Sequence, residues 1–290
     1  MPFIRNHKIA TIILLLLSIY IYYFYTRIVP DNEKIDKTSY HYVNELYMSD
    51  GKIYDNYLDE KAKIVYDKLY KNTKFRIPQF SLKVSEVGCS DAYDCENALL
   101  LANDALMVEH PELMGYGGVR SYLIADDKLT ISVRYAVNPL FEAISVPRIK
   151  RIIYDIKEAT KNMDDLTKID YVYNWVGKNA TYDKVFTYTS KNQSIYNVFI
   201  RKEAVCAGFA KASQVIFQNI GIESYCVTGE TSGPHMWNIV KYKDKYYYYD
   251  STVAASTKNR KEGLIQEKMN DYILNHKEWY PTVETTRMTP

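Results

Sequence analysis

One cysteine lies at the predicted start of a helix, a position that favours a reactive thiol. The apolar spacing after Cys206 predicts a helix from there to about Asn219, with Gly221 as its C-terminal stop. Free backbone N–H groups and the positive end of a helix favour the thiolate, which is the nucleophilic form of cysteine. The small residues Ala207 and Gly208 leave room beside the thiol for a substrate or a facing strand.

A thiol nucleophile needs a base, and His235 is placed to supply one. It begins a predicted strand, and Asp250 ends the next. If Lys243 and Asp244 form a two-residue turn, Trp237 faces Asp250, and His235 becomes a diagonal neighbour of the carboxylate on the same face. The spacing therefore permits an imidazole oriented by a carboxylate, as nucleophilic triads require. A buried structural thiol, a capped strand start and a turn residue are the alternatives for the three positions.

Three motifs in this order resemble the transglutaminase-like superfamily. They are VCAGFA, HMWN about thirty residues later, and then YYYYDST. Upstream, IDYVYNWVGKNATYD resembles the helix and the Tyr-Asp pair (here Tyr182 and Asp183) that precede the family's cysteine. The resemblance covers about residues 165–255. Phe209 stands where a tyrosine is common, and STVAAST lacks the aromatic that often follows the aspartate.

The resemblance implies a Cys-His-Asp triad that performs acyl transfer at amide bonds. Cys206 would be the nucleophile, His235 the base and then the acid, and Asp250 the residue that orients the imidazole. The implied fold is a papain-like core, with the thiol-bearing helix packed on an antiparallel sheet. Some family members crosslink glutamine to amines, and others cut peptides or act on cell-wall material. This chemistry needs no cofactor.

Gln193 is a candidate oxyanion donor. Its amide could act beside the backbone N–H of Cys206. A glutamine on a surface loop is the alternative.

The remaining cysteines suggest structural roles. Cys89 and Cys95 lie in GCSDAYDC and can form a local disulfide in an oxidising compartment. Their C-x5-C spacing, with no second cysteine or histidine pair, is a weak signal for a metal site. Cys226 lies in an apolar strand-like run, which is typical of an inert buried thiol.

The first residues predict a membrane anchor. Residues 9–26 carry no charge and, at a rise of about 1.5 Å per residue, span about 27 Å as a helix, close to the thickness of a bilayer core. The following TRIVPDNEK lacks the small residues of a cleavage site, so an uncleaved signal anchor is preferred to a cleaved signal peptide. Arg5, His7 and Lys8 favour a cytoplasmic N-terminus, so that residues after about 28 face outward.

Helices followed by strands predict an α+β fold, in which a smaller N-terminal region with helices and strands precedes the papain-like core. The prediction includes a helix over 57–72, a helix over 95–109, a hairpin turning at Ala125–Lys128, and a helix opened by Pro147. The predicted parts are a signal anchor (1–27), a spacer (28–60), an N-terminal α+β region (61–145) and the transglutaminase-like catalytic domain (146–290).

The composition and net charge of the chain bear on its class of function. The chain of 290 residues is 47% apolar with a net charge of +2, which is ordinary for a globular protein and gives no reason to expect a nucleic-acid partner. The resemblance and the predicted anchor together imply a membrane-anchored, extracytoplasmic cysteine acyltransferase or peptidase, with a protein, peptide or cell-wall peptide as substrate. The alternative is a catalytically silent domain that binds a cell-wall or protein ligand in the same cleft.

Overall fold

The structure is a computed structural model that describes residues 15, 18, 46–183, 192–256, 269 and 271–289. The chain forms two compact units, residues 1–42 and 43–290. The predicted anchor over 9–26 lies outside the described residues except for Leu15 and Ser18, both helical. No helix in the described part of the chain is long and apolar enough to cross a membrane. The anchor therefore stays a prediction.

The first part of the larger unit combines helices with a three-stranded antiparallel sheet of order β1-β3-β2. Local caps set where its main helices begin. Asp59 accepts a hydrogen bond from the backbone N–H of Ala62, and Asp91 accepts one from Asp94, so these helices begin at Glu60 and Ala92. The elements are α1 (Lys52–Tyr57), α2 (Glu60–Lys74), β1 (Gln79–Lys83), α3 (Val84–Val87), α4 (Ala92–Glu109), β2 (Tyr116–Ala125) and β3 (Lys128–Tyr135).

The predicted hairpin between β2 and β3 is confirmed. Ala125 pairs with Lys128, and Asp126 and Asp127 form the turn with φ of +50° and +57°. Aspartate tolerates this left-handed region better than most residues, which explains the sequence of the turn.

The prediction that Pro147 opens a helix is wrong. Helix α5 (Pro139–Thr160) begins two turns earlier, and Pro147 lies inside it. Asn138 caps the helix by accepting a hydrogen bond from the backbone N–H of Leu140, and Pro139 occupies the first turn, where its missing N–H costs nothing. The predicted boundary between residues 145 and 146 falls within this helix.

The last part of the chain carries a four-stranded antiparallel sheet of order β8-β7-β6-β9. Helix α7 is capped at its C-terminal end by Gly221, whose φ of +79° suits glycine and confirms the predicted stop. The elements are α6 (Asp165–Asn179), β4 (Thr181–Tyr182), a π-helix (Asn197–Arg201), β5 (Glu203–Ala204), α7 (Cys206–Ile220), β6 (Ser224–Glu230), β7 (Pro234–Tyr242), β8 (Lys245–Tyr249), α8 (Ser251–Ser256), β9 (Ile273–Leu274) and a 3₁₀ turn (Lys277–Trp279).

Helix α7 separates two apolar clusters and is buried along nearly its whole length. Ala207 and Ala210 belong to one cluster, which also holds residues of α2, α4 and the first sheet. Phe209 and Phe217 belong to the other, with residues of α5 and α6. Apolar burial on two sides fixes the orientation of the helix that carries the cysteine.

The edge strand β9 requires a glycine on its neighbour β6. A Cβ on Gly229 would lie 2.0 Å from the carbonyl oxygen of Ile273 and 2.7 Å from the Trp237 ring. We expect Gly229→Ala to displace β9 and to lower the free energy of unfolding by about 1–3 kcal/mol. Urea unfolding of the full chain in detergent measures this change. Gly233→Ala is the control, since a Cβ there meets nothing within 4 Å.

Candidate active site

Cys206 occupies the first position of α7, as predicted. The residue before it, Val205, has no polar side chain that could cap the helix. The positive end of the helix is therefore not neutralised by its cap residue, and it adjoins the thiol. Cys206 is free and partly exposed, so a substrate can reach it.

A short segment packs against the start of α7. The backbone N–H of Val205 donates to the carbonyl of Asn192 at 3.1 Å. A Cβ on Gly208 would lie 2.9 Å from the Ala204 Cβ and 3.2 Å from the Asn192 carbonyl oxygen. Glycine at 208 thus admits this segment, which includes Gln193 beside the nucleophile helix. The side chain of Gln193 is half-buried, and its role as an oxyanion donor stays a prediction.

The hairpin that carries His235 and Asp250 has the predicted register. Tyr242 pairs with Lys245, and Asn238 pairs with Tyr249, so the turn between them has two residues. His235 Nε2 lies 2.8 Å from Asp250 Oδ2. Because the imidazole is 14% exposed and the carboxylate 2%, the contact is nearly shielded from water.

Asp250 is held by partners on both oxygens. The backbone N–H of Thr252 donates to Oδ1 at 2.9 Å, and the Tyr272 hydroxyl donates to Oδ2 at 2.7 Å. Burial alone would raise the pKa of this carboxyl, but hydrogen bonds and the charge of His235 outweigh it and lower the pKa. Asp250 is therefore a buried carboxylate and not a carboxylic acid at neutral pH.

The His235 ring is hydrogen-bonded to Asp250, and both Asp250 and Cys206 act on its pKa. Burial opposes its protonation, but hydrogen bonds to Asp250 and Cys206 and the charges of both raise its pKa to about 10. Since Nε2 is bonded to Asp250, Nδ1 is the ring nitrogen left for the thiol. Trp237 stacks on the ring at 5.7 Å between centroids. This arrangement can hold an imidazolium beside a thiolate.

The raised pKa of His235 predicts how stability changes with pH. A histidine whose pKa is about 10 in the folded chain and about 6.5 when unfolded binds its proton more tightly in the folded state. Its stabilising effect is complete below pH 6.5 and is lost as the pH rises through 10. We expect the stability difference between wild type and His235→Gln to shrink over this range, as measured by urea unfolding at each pH. A constant difference would contradict the ion pair.

The second free thiol has a different environment. Cys226 is buried on β6, where it accepts a contact from Asn238 Nδ2 at 3.6 Å. Burial raises the pKa of this thiol to about 12. It is therefore unreactive at neutral pH and provides an internal comparison for Cys206.

The structure also gives contacts for the other residues that the sequence singled out. Cys89 and Cys95 are joined by a disulfide. The Tyr182 ring stacks on Phe209, and Asp183 accepts a hydrogen bond from Asn192 at 2.8 Å. Within the described ranges, no group of three histidine, cysteine or acidic side chains is placed to hold a metal ion.

Tyr272 was not anticipated from the sequence. It lies 22 residues beyond Asp250 and outside the three motifs. The chain is rich in tyrosine, with 29 in all, so no local pattern distinguishes this one. Its contact depends on the pairing of β9 with β6, which is a long-range feature.

The comparison with protein families agrees with this geometry. Residues 154–251 match the transglutaminase-like superfamily, and this range contains Cys206, His235 and Asp250. The chain contains a domain of this superfamily, and the resemblance carried by the three motifs is confirmed. No curated protein matches the chain.

Several solved structures are similar in part. A crystal structure described as a TGase is 19% identical, with a TM-score of 0.34, over 57% of this chain and 48% of that one. A provisionally named cysteine protease from Cytophaga hutchinsonii is 11% identical, with a TM-score of 0.35, over 52% of this chain and 58% of that one. The periplasmic domain of TgpA from Pseudomonas aeruginosa is 13% identical, with a TM-score of 0.31, over 47% and 57%. The chain thus spans less than two thirds of each structure.

Proposed function

We propose that the chain is a thiol acyl-transfer enzyme that acts on amide bonds of proteins or peptides. The observation that supports this most is the 2.8 Å contact between His235 Nε2 and Asp250 Oδ2, on an imidazole whose pKa the Cys206 thiol also raises. A nucleophile, a base and a group that orients the base are the three parts that covalent acyl transfer requires.

The reaction would proceed in two halves. The Cys206 thiolate attacks the amide carbonyl carbon, and the carbonyl π electrons move to the oxygen, which faces the backbone N–H groups at the start of α7. The C–N bond then breaks, and the His235 imidazolium gives its proton to the leaving amine. The neutral imidazole next takes a proton from water or from an incoming amine, which attacks the thioester and releases the thiolate. Water gives hydrolysis, and an amine gives transamidation.

Features outside the active site support an extracytoplasmic location for the catalytic domain. The uncharged run over 9–26 supports attachment to a membrane, and its basic N-terminal flank supports an outward-facing catalytic domain. The Cys89–Cys95 disulfide supports an oxidising environment. We infer that the substrate is an extracytoplasmic protein, peptide or cell-wall peptide.

The test uses the purified full chain in detergent with two substrate sets. One measures incorporation of a fluorescent primary amine into casein, and the other measures cleavage of a peptide mixture by mass spectrometry. Intact-mass analysis after acid quenching detects the thioester on Cys206. We expect the adduct in wild type and in Cys226→Ala, and none in Cys206→Ala. A folded wild-type chain that forms no adduct and no product from either set would favour the silent, ligand-binding alternative.

A further inference from the structure

The buried carboxylate of the site has a partner from outside the family-matched region. That region ends at residue 251, whereas Tyr272 lies in the C-terminal segment (residues 271–289), which also contains β9. Its hydroxyl donates to Asp250 Oδ2 at 2.7 Å, the same oxygen that His235 Nε2 approaches at 2.8 Å. The two donors therefore share one acceptor atom.

The C-terminal segment is built to hold this tyrosine in place. Strand β9 pairs with Gly229 and Glu230 of β6, and the backbone N–H of Asn275 donates to the Thr228 carbonyl at 2.9 Å. Gly229 permits this approach because any Cβ there would strike the backbone of Ile273. Tyr272 immediately precedes β9, so the strand fixes its backbone.

The Tyr272 ring also bounds the imidazole. It meets the His235 ring edge-on, with centroids 5.9 Å apart and planes at 85°. Trp237 stacks on His235 and meets the Tyr272 ring edge-on at 4.9 Å. The imidazole is thus confined by two aromatic rings, and its carboxylate partner is bonded by one of them.

We propose that Tyr272 is a positioning residue for the acyl transfer, which holds the Asp250 carboxylate and through it orients His235. This inference rests on the proposed function. Without the hydroxyl, Oδ1 would keep its bond from the Thr252 N–H, but Oδ2 would lose one of its two donors. The carboxylate would then turn more freely, and Oδ2 would interact with His235 alone.

The test compares Tyr272→Phe with wild type in the full chain in detergent. We expect kcat to fall about tenfold, because misplacing a catalytic group lowers the rate while leaving substrate contacts in place, and KM to stay within about twofold. The alkaline limb of the rate profile should move to higher pH, because a carboxylate that no longer shares Oδ2 raises the pKa of His235 further. Tyr246→Phe is the matched control, since its hydroxyl donates to Glu223 at 3.0 Å.

A second measurement separates this inference from the proposed function. Titration of the ¹³C-labelled His235 ring by NMR follows its protonation without any substrate. A shift to higher pH in Tyr272→Phe and none in Tyr246→Phe supports the positioning role even if wild type proves inactive on every substrate. A Tyr272→Phe chain with the wild-type melting temperature, His235 titration and kcat would overturn it.

Discussion

Replacing Cys206 with alanine is expected to lower the acyl-transfer rate by at least about 10⁴-fold while the chain stays folded. The loss is large because the covalent step has no other nucleophile, and removal of a triad nucleophile costs up to about 10⁶-fold in a related chemistry. Alanine suits the first turn of α7, and the Cys206 side chain is only partly buried. We therefore expect the free energy of unfolding to change by less than about 1 kcal/mol.

Cys226→Ala is the matched control for this prediction. It removes a thiol of the same size from the buried strand β6, where it contacts Asn238. We expect near-normal activity with a loss of stability of about 1–2 kcal/mol from the small cavity. The nucleophile assignment fails if folded Cys206→Ala keeps more than a few per cent of wild-type activity, or if Cys226→Ala is the inactive variant.

Asp250→Asn should have the second-largest effect, a fall in kcat of about 10³- to 10⁴-fold, as for the corresponding change in serine triads. The carboxamide can keep its bond from the Thr252 N–H only by turning its NH₂ group toward His235 and Tyr272. The two N–H groups of the carboxamide would then face the Tyr272 hydroxyl and the protonated ring nitrogen of His235, which are donors to Asp250 in the wild type. The imidazole would lose both its orientation and its counter-charge.

The same substitution fixes the sign of the pH effect. Asp250 raises the pKa of His235, so its removal should lower that pKa from about 10. The leaving amine needs the imidazolium proton, and the alkaline limb of kcat/KM should therefore move to lower pH. Rate profiles from pH 5 to 10.5 measure this shift. Asp244→Asn, in the exposed β7–β8 turn, is the control. An unmoved alkaline limb in Asp250→Asn would mean that His235 and Asp250 are not coupled.

Much of the site could be predicted because its geometry depends on local signals. A two-residue turn at Lys243 and Asp244 sets the register of the hairpin, and the register places His235 beside Asp250. Gly221 ends the helix that Cys206 begins, and this stop is a local property of glycine, which tolerates a positive φ. Short-range rules of this kind need no knowledge of the rest of the fold.

The features that could not be predicted depend on competition between two possible helix starts or on pairing between strands that are far apart in the sequence. Pro147 resembled a helix start, but the Asn138-Pro139 pair supplies both a cap and a first-turn proline, so the helix begins there. The contact between Tyr272 and Asp250 needs β9 to reach Gly229 across the sheet. Neither residue spacing nor composition carries that information.

The most direct test of the triad is the alkylation rate of Cys206 against pH, measured by peptide mass spectrometry on the full chain in detergent. Cys226 in the same sample and the urea-denatured chain serve as references. We predict that Cys206 alkylates rapidly and that the rate persists at pH 6, at least about tenfold above the denatured chain, because the positive end of α7 and the His235 imidazole both favour the nucleophilic form of the thiol. A rate that follows the denatured chain and rises only near pH 8.5 would contradict a working Cys206–His235–Asp250 triad.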